Sequence, residues 1–125
     1  HTLPLREEVP AKDKWHIEDI FSNDDAFTSA LEACRTHIDA LAAFKDHLGD
    51  SAETLCTYLT EKEKVLVELD SLYCYAGHRS DEDTSNPHIR TFVVRSILQA
   101  TIFMRQPLSR ILNCFPFRKI LYRKP

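Results

Sequence analysis

The residues best suited to catalysis or metal binding lie together near the middle of the chain. Two histidines, His78 and His88, flank the acidic run Asp81-Glu82-Asp83. Imidazole and carboxylate groups are suitable ligands for a divalent cation, so this stretch raises the question of a metal site. A calcium loop, however, needs acids at alternating positions, a central Gly and a closing Glu, and this run lacks that arrangement. The sequence therefore favours a solvated turn that caps a helix over a metal site.

Four cysteines, Cys34, Cys56, Cys74 and Cys114, are the other candidate ligands and nucleophiles. No CxxC pair occurs, which argues against a zinc knuckle. Because the number of cysteines is even, all of them could pair in disulfides. However, Cys34, Cys56 and Cys74 each lie within a helical pattern beside apolar residues. We therefore favour reduced, buried cysteines in a cytosolic protein.

The motifs of the common catalytic centres are missing from these 125 residues. HExxH, GxGxxG, GxxxxGK[ST] and GxSxG do not occur, and two glycines could not build the glycine-rich loops. Carboxylates are abundant but fall mostly on predicted solvated helix faces. The residues alone therefore favour a binding or structural module over a free-standing enzyme. We assign no residue of this chain a catalytic, cofactor-binding or metal-ligating role.

Apolar residues recur at three- and four-residue steps along most of the chain, which is the period of an amphipathic helix. The pattern predicts an all-α fold of three long antiparallel helices, near 23–47, 60–82 and 87–104, with a short helix near 52–59. The predicted inward-facing residues are Ala26, Phe27, Ala30, Leu31, Cys34, Ile38, Leu41 and Phe44; Leu55, Cys56 and Leu59; Val65, Leu66, Leu69, Leu72, Tyr73 and Ala76; and Ile89, Phe92, Val93, Ile97, Ala100 and Met104.

Capping residues mark the predicted helix ends. Ser22 is predicted to cap the first helix and Gly49 to follow its end. Thr60 opens the second long helix with a capping-box spacing. Asn86 followed by Pro87 predicts the start of the third, because the first helical position needs no amide donor.

The N-terminal arm, residues 1–14, has two prolines and no helical period, so we expect it to be extended over the surface. The next residues predict a short turn or helix that anchors this arm in the core through four apolar side chains, Trp15, Ile17, Ile20 and Phe21.

Charge is distributed unevenly although the net charge is only −3. Residues 1–104 carry ten basic and nineteen acidic side chains, whereas residues 105–125 carry six basic and no acidic ones. A basic segment of this kind suits nucleic acid or another anionic surface. No run of eighteen apolar residues and no basic-then-apolar leader occurs, so we expect neither a membrane span nor a secretion signal.

Three stretches taken together carry a family resemblance. They are Leu3-Pro-x-Arg6-x-Glu8-Val-Pro10 with Trp15-x-Ile-x-Asp19-Ile-Phe21; Leu41-x-x-Phe44-Lys45-x-x-Leu48-Gly49-Asp50-Ser51-x-x-Thr54-Leu55; and Leu72-Tyr73-x-Tyr75-Ala76-x-x-Arg79-x-Asp81-Glu82-Asp83-Thr84-x-Asn86. In this order they closely resemble the N-terminal region of oligoendopeptidase F, a thimet-like zinc metallopeptidase family. The resemblance covers about residues 3–104.

The resemblance implies an almost wholly helical, two-lobed cytoplasmic enzyme that hydrolyses short peptides in a deep channel. It places the HExxH zinc site in a catalytic lobe far downstream, so the zinc belongs to the full-length parent and this chain holds no cofactor. Residues 1–104 would then form an N-terminal helical domain that supplies scaffold and channel wall. The catalytic lobe and, in the parent, short peptides are the implied partners, and we expect neither a membrane nor a nucleic acid.

The end of the chain departs from the family pattern. The family usually continues here with an acidic, helical stretch, whereas residues 105–125 are a basic, divergent tail. A frameshift, a truncated gene product or a strongly diverged end would each give this pattern. A second hypothesis also stays open, in which the chain is a stand-alone helical interaction module and the tail binds an anionic partner.

Overall fold

A computed structural model of the chain describes Pro4 and residues 8–104. Two short 3₁₀ helices, Ala11–Asp13 and Ile17–Asp19, precede three α-helices: α1 (Asp24–Ala42), α2 (Ala52–Glu82) and α3 (Pro87–Met104). No strand occurs in this part of the chain, which confirms the predicted all-α class. None of the helices described is long and apolar enough to cross a membrane. The predicted division at residue 104 stays a prediction, because residues 105–125 lie outside the described range.

Helix α2 lies between the other two, because α1 and α3 each pack mainly against it. It runs antiparallel to both: the start of α1 contacts the end of α2 through Asp24 and Tyr75, and a short turn joins α2 to α3. The inward side of α1 repeats every three or four residues, which is the spacing of a helix stripe that faces a neighbour. Its buried residues are Phe27, Leu31, Cys34, Ile38 and Leu41. They join a core to which α2 and α3 contribute Val65, Leu69, Leu72, Tyr75, Ala76, Phe92 and Phe103.

Phe27 is the centre of this core. Its side chain is fully buried, and its ring centroid lies 5.9 Å from Phe21, 5.3 Å from Tyr75 and 4.7 Å from Phe92. Those three rings come from the N-terminal arm, α2 and α3. One side chain of α1 therefore contacts the N-terminal arm, α2 and α3 at once.

Helix α2 is one continuous element, so the predicted separate helix near 52–59 and the predicted start at Thr60 are wrong. Ser51 caps it by accepting from the backbone N–H of Thr54 at 3.0 Å. The Thr60 hydroxyl instead donates to the carbonyl of Cys56, one turn back, at 3.0 Å. Tyr58 and Val65 are buried on either side of Thr60, so packing favours a continuous helix over the local capping signal.

The predicted ends of α1 are also displaced. Asn23 rather than Ser22 is the cap, and its side chain accepts from the N–H of Ala26 at 2.8 Å. The helix ends at Ala42, before the predicted residue 47, and residues 43–50 form turns in which Leu48 is buried. Gly49 does not adopt the positive φ of a helix-ending glycine.

The predicted start of α3 is confirmed. Pro87 is its first residue, and the Asn86 side chain accepts from the N–H of His88 at 3.0 Å. The α2–α3 connection is therefore a short capped turn, which keeps the two helices adjacent and antiparallel.

Several apolar residues expected in the core are exposed. Trp15 is 76% exposed, so the N-terminal arm is anchored by Ile17, Ile20 and Phe21 without it. Five further side chains predicted to face inward are each at least 46% exposed, namely Leu59, Leu66, Tyr73, Ile97 and Met104. In α3 the polar Ser96 and Gln99 are buried instead, since their side chains donate to the carbonyls of Leu72 (3.5 Å) and Leu31 (3.4 Å).

Replacing the central ring tests this packing. Phe27→Ala is expected to lower the free energy of unfolding by about 3–5 kcal/mol, because it removes a fully buried aromatic side chain and leaves a cavity. Urea unfolding followed by circular dichroism measures the change. The control Val67→Ala, at a position 64% exposed on α2, should stay within about 0.5 kcal/mol of the parent, and an equal loss in both variants would contradict the assignment.

Capping of α2 gives a second test. Ser51→Ala should cost about 1 kcal/mol, because the Thr54 amide loses its acceptor. Thr60→Ala should be neutral or slightly stabilising, since alanine is the better residue inside a helix. If α2 began at Thr60, the same unfolding measurement would show the opposite order.

Candidate functional site

The strongest polar cluster joins the first residue of α1 to the last turns of α2. Asp24 accepts a 2.8 Å hydrogen bond from the Tyr75 hydroxyl. It also accepts from Arg79 through both carboxylate oxygens, with Nε 3.2 Å from Oδ1 and Nη2 3.0 Å from Oδ2. The remaining Arg79 nitrogen, Nη1, donates to Glu82 at 3.0 Å. We call these four residues the Asp24–Arg79 clamp.

The protonation states of Asp24, Tyr75 and Arg79 are fixed at neutral pH. Burial by itself raises the pKa of Asp24, but the hydrogen bonds from Arg79 and Tyr75 outweigh burial and bring that pKa below its ordinary value. Burial, followed by the hydrogen bond to Asp24, raises the pKa of Tyr75 to about 12. The hydrogen bond to Asp24 raises the pKa of Arg79 further above its usual range. None of the three groups can exchange a proton near pH 7, so the clamp supports attachment of α1 to α2 rather than acid–base chemistry.

A groove of about 390 Å³ lies beside the clamp, between the N-terminal arm and the start of α1. Its lining is Ile17, Glu18, Phe21, Ser22, Asn23, Asp24, Asp25, Tyr75 and Arg79. Among the described residues, no histidine, cysteine or lysine lines the groove, so Ser22 has no imidazole beside it in this lining. The described lining therefore lacks the paired nucleophile and base of covalent catalysis.

A second cluster brings together a cysteine, a histidine and a glutamate, which are the residue types of a nucleophilic site. Nδ1 of His37 on α1 lies 2.9 Å from both carboxylate oxygens of Glu68 on α2. Cys34 is fully buried, and burial, together with the charge and hydrogen bond of Glu68, raises the pKa of its thiol to about 12. A neutral, inaccessible thiol is a poor nucleophile, so this cluster also ties α1 to α2.

The acidic run considered as a metal site in the sequence is dispersed in the structure. Asp81 and Glu82 belong to the last turn of α2, which ends at residue 82 as in the predicted range 60–82, and Glu82 pairs with Arg79 of the same helix. Of this run, only Asp83 lies in the turn before α3. Asp83 is the C-terminal cap residue, and its side chain accepts from the amide (3.1 Å) and hydroxyl (2.6 Å) of Ser85.

The two histidines beside that run have aromatic neighbours. The His78 ring lies 5.6 Å from Trp15, and the His88 ring lies 5.0 Å from Phe92. Within the described residues, no three histidine, cysteine or acidic side chains are placed to hold a metal ion.

The described cysteines differ from one another in exposure. Cys34 is buried as predicted, Cys74 is half-buried and Cys56 is exposed, so burial was wrongly predicted for Cys56. All three have free thiols within the part of the chain that the structure describes. Cys114 lies outside that part.

Two of the three stretches that carry the family resemblance meet in space, and the second contributes a buried residue and a helix cap. Phe21 from the first stretch packs against Tyr75 from the third, with ring centroids 5.4 Å apart. In the second stretch, Leu48 is buried and Ser51 caps α2. In the third, Ala76 is buried and Arg79 belongs to the clamp. The recognisable motifs of this chain therefore pack and cap helices.

Sequence comparison agrees with the resemblance. The chain is 45% identical to oligopeptidase PepF of Bacillus subtilis (strain 168) over 84 residues, which are 67% of this chain and 12% of that protein. It is 34% identical over 80 residues to the chromosomal oligoendopeptidase F of Lactococcus lactis subsp. cremoris, covering 63% of this chain and 13% of that one. The chain is a homologue of oligoendopeptidase F.

The relationship to oligoendopeptidase F is a partial one of N-terminal type. Group B oligopeptidase PepB of Streptococcus agalactiae is 27% identical over 92 residues. That alignment covers 73% of this chain and 15% of PepB. The chain thus spans about an eighth of the length of the curated relatives it matches. No family model and no solved structure matches it.

The effect of Asp24→Asn on the free energy of unfolding is expected to depend on pH. Because the pKa of Asp24 is lower in the folded chain than its ordinary value of 3.8, ionised Asp24 stabilises the fold above that value, and the stabilisation is lost as pH falls through the folded pKa. We expect Asp24→Asn to cost roughly 1–2 kcal/mol at pH 7, a range that allows for partial solvent exposure.

The difference in the free energy of unfolding between Asp24→Asn and the parent should shrink as the pH falls below 3.8, as urea unfolding at several pH values would show. Asp25→Asn is the matched control, since the neighbouring Asp25 is exposed in the same helical turn and lies outside the clamp. Equal losses for both variants would contradict the special role of Asp24.

Proposed function

We propose that this chain is the N-terminal helical part of an oligoendopeptidase F-like zinc metallopeptidase, which hydrolyses short peptides in the cytoplasm. Residues 1–104 supply scaffold and channel wall, and the catalytic lobe follows in the parent protein. The observation that carries this proposal is the match to oligopeptidase PepF, which takes in 67% of this chain and only 12% of that protein.

The polar chemistry of the described residues supports a scaffold role. The Asp24–Arg79 clamp and the Cys34–His37–Glu68 cluster use their hydrogen bonds between helices. The clamp carries an ionised acid and a phenol whose pKa is about 12, and neither is suited to proton transfer at neutral pH. These groups fix the position of one helix against another, as a channel wall requires.

In this proposal, zinc is bound by the catalytic lobe of the parent protein and not by the residues described. The described residues do not provide a donor set that fits zinc, which takes four ligands, or three and a water, from histidine, cysteine or carboxylate groups. We therefore derive no zinc-dependent step from these residues. When bound in the catalytic lobe, zinc would polarise the scissile carbonyl and activate water.

The isolated chain provides the direct test. The purified 125-residue chain should hold no stoichiometric zinc and should not hydrolyse a fluorogenic short peptide. Metal analysis by plasma mass spectrometry and a peptidase assay measure the two properties, with Bacillus subtilis PepF as the positive control. Stoichiometric zinc that survives dialysis, or hydrolysis by the chain alone, would contradict the proposal.

A chimera tests the positive half of the proposal. In it, the matched 84-residue stretch of Bacillus subtilis PepF is replaced by the corresponding stretch of this chain. We expect peptidase activity within about tenfold of PepF, a difference of about 1.4 kcal/mol in activation free energy. A soluble chimera without activity would count against the shared role, and deletion of the stretch serves as the negative control.

A further inference from the structure

The α2–α3 hairpin has an apolar face that no described residue covers. Five large side chains form it: Leu59, Leu66 and Tyr73 on α2, and Ile97 and Met104 on α3, each at least 46% exposed. We call this surface the outer hairpin face. Its three α2 residues are spaced by seven, which keeps them on one stripe of a helix.

The stripe on α2 points away from α1. Leu66 precedes Glu68 by two residues and Tyr73 precedes Tyr75 by two, and both of those later residues hydrogen-bond to α1. An α-helix turns by about 100° per residue, so a residue two positions earlier lies about 160° around the helix. Leu66 and Tyr73 are therefore nearly opposite the contact with α1.

The same construction holds on α3. Gln99 donates to the carbonyl of Leu31 on α1, and Ile97 lies two residues before Gln99. Met104, five residues after Gln99, lies about 140° from it. Since α2 and α3 pack antiparallel along their length, their two outward stripes adjoin and make one continuous surface.

The solvent side of α1 has a different character. It carries Glu32, Arg35 and Asp39, all exposed, which is the polar face of an ordinary surface helix. A soluble monomer rarely leaves a large contiguous apolar patch open to water, and such a patch generally marks an interaction surface. Of the two sides of this three-helix layer, the outer hairpin face is therefore the side built for a partner.

We propose that the outer hairpin face is the surface on which the polypeptide following α3 in the full-length protein packs. This inference rests on the proposed function. The described part of α3 runs to Met104, which is itself part of the face, so the polypeptide that follows Met104 starts at the edge of this surface. The relatives are about eight times longer than their match to this chain, which provides ample chain to cover it.

The rim of the face indicates the chemistry of the partner surface. Glu63 and Asp70 are exposed on α2, three residues before and four residues after Leu66, and these spacings make them neighbours of Leu66 on the helix surface. Lys62, four residues before Leu66, adds a half-buried cation to the same rim, with its ammonium 5.8 Å from the centroid of the Phe103 ring. A complementary surface would be apolar at its centre and carry charges of both signs along its edge, and these charges would fix the register of docking more than its strength.

Charge insertion in the chimera described above tests the face. Leu66→Glu should lower the peptidase activity of the chimera by about tenfold or more, because a displaced scaffold misplaces the channel over the reacting groups. Val67→Glu is the matched control: the residue is adjacent and 64% exposed, but it lies about 100° around the helix from Leu66. Its activity should stay within about twofold of the unsubstituted chimera.

Folding of the hairpin itself is tested in the 125-residue chain. Both Leu66→Glu and Val67→Glu should keep the circular dichroism spectrum of the parent, since both side chains are exposed there. Should Leu66→Glu leave the chimera insoluble, the neutral Leu66→Gln should remain soluble and lose activity in the same direction, relative to Val67→Gln.

The outcomes separate this inference from the proposed function. An active chimera that tolerates Leu66→Glu would overturn the docking face and leave the proposed function intact. An inactive but folded unsubstituted chimera would overturn the proposed function and this inference with it. If the 125-residue chain self-associates in sedimentation experiments and Leu66→Glu abolishes only that association, the face binds a second copy and the inference is wrong.

Discussion

Phe27 and Asp24 attach α1 to the rest of the molecule from within a single turn of helix. The ring of Phe27 is fully buried and lies within 6 Å of rings from the N-terminal arm, α2 and α3. Three residues earlier, Asp24 accepts from Tyr75 and Arg79 near the end of α2. The apolar contact provides most of the driving force, and the charged contact fixes the register of α1 along α2. The position of the N-terminal arm follows, because Phe21 packs edge-on against both Phe27 and Tyr75.

The helical period identified all three long helices, because each must bury one stripe, and the Asn86-Pro87 signal correctly placed the start of α3. Local signals failed where tertiary packing competed with them. Thr60 has the spacing of a capping box, yet buried Tyr58 and Val65 keep α2 continuous through it. The buried Ser96 and Gln99 were missed because their acceptors lie 24 and 68 residues away in the sequence. The Asp24–Arg79 pair, 55 residues apart, was missed for the same reason, although Arg79 lies in the stretch that carries the resemblance.

The clusters that could suggest catalysis are better explained as connections between helices. Arg79 is held by Asp24 and Glu82, and the Cys34 thiol is buried beside Glu68. The motifs that make the chain recognisable as a homologue of oligoendopeptidase F pack and cap its helices. A chain of this kind, apolar on the outer hairpin face and polar on the solvent side of α1, suits a part that is completed by a larger protein.

The intact mass and zinc content of the natural gene product, purified from its source cells, would show whether these helices belong to a larger peptidase. We expect a product several times larger than 14.5 kDa that contains stoichiometric zinc and the HExxH motif beyond the residues of this chain. A metal-free product of 14.5 kDa would contradict this expectation, and would mean that these helices act without a peptidase.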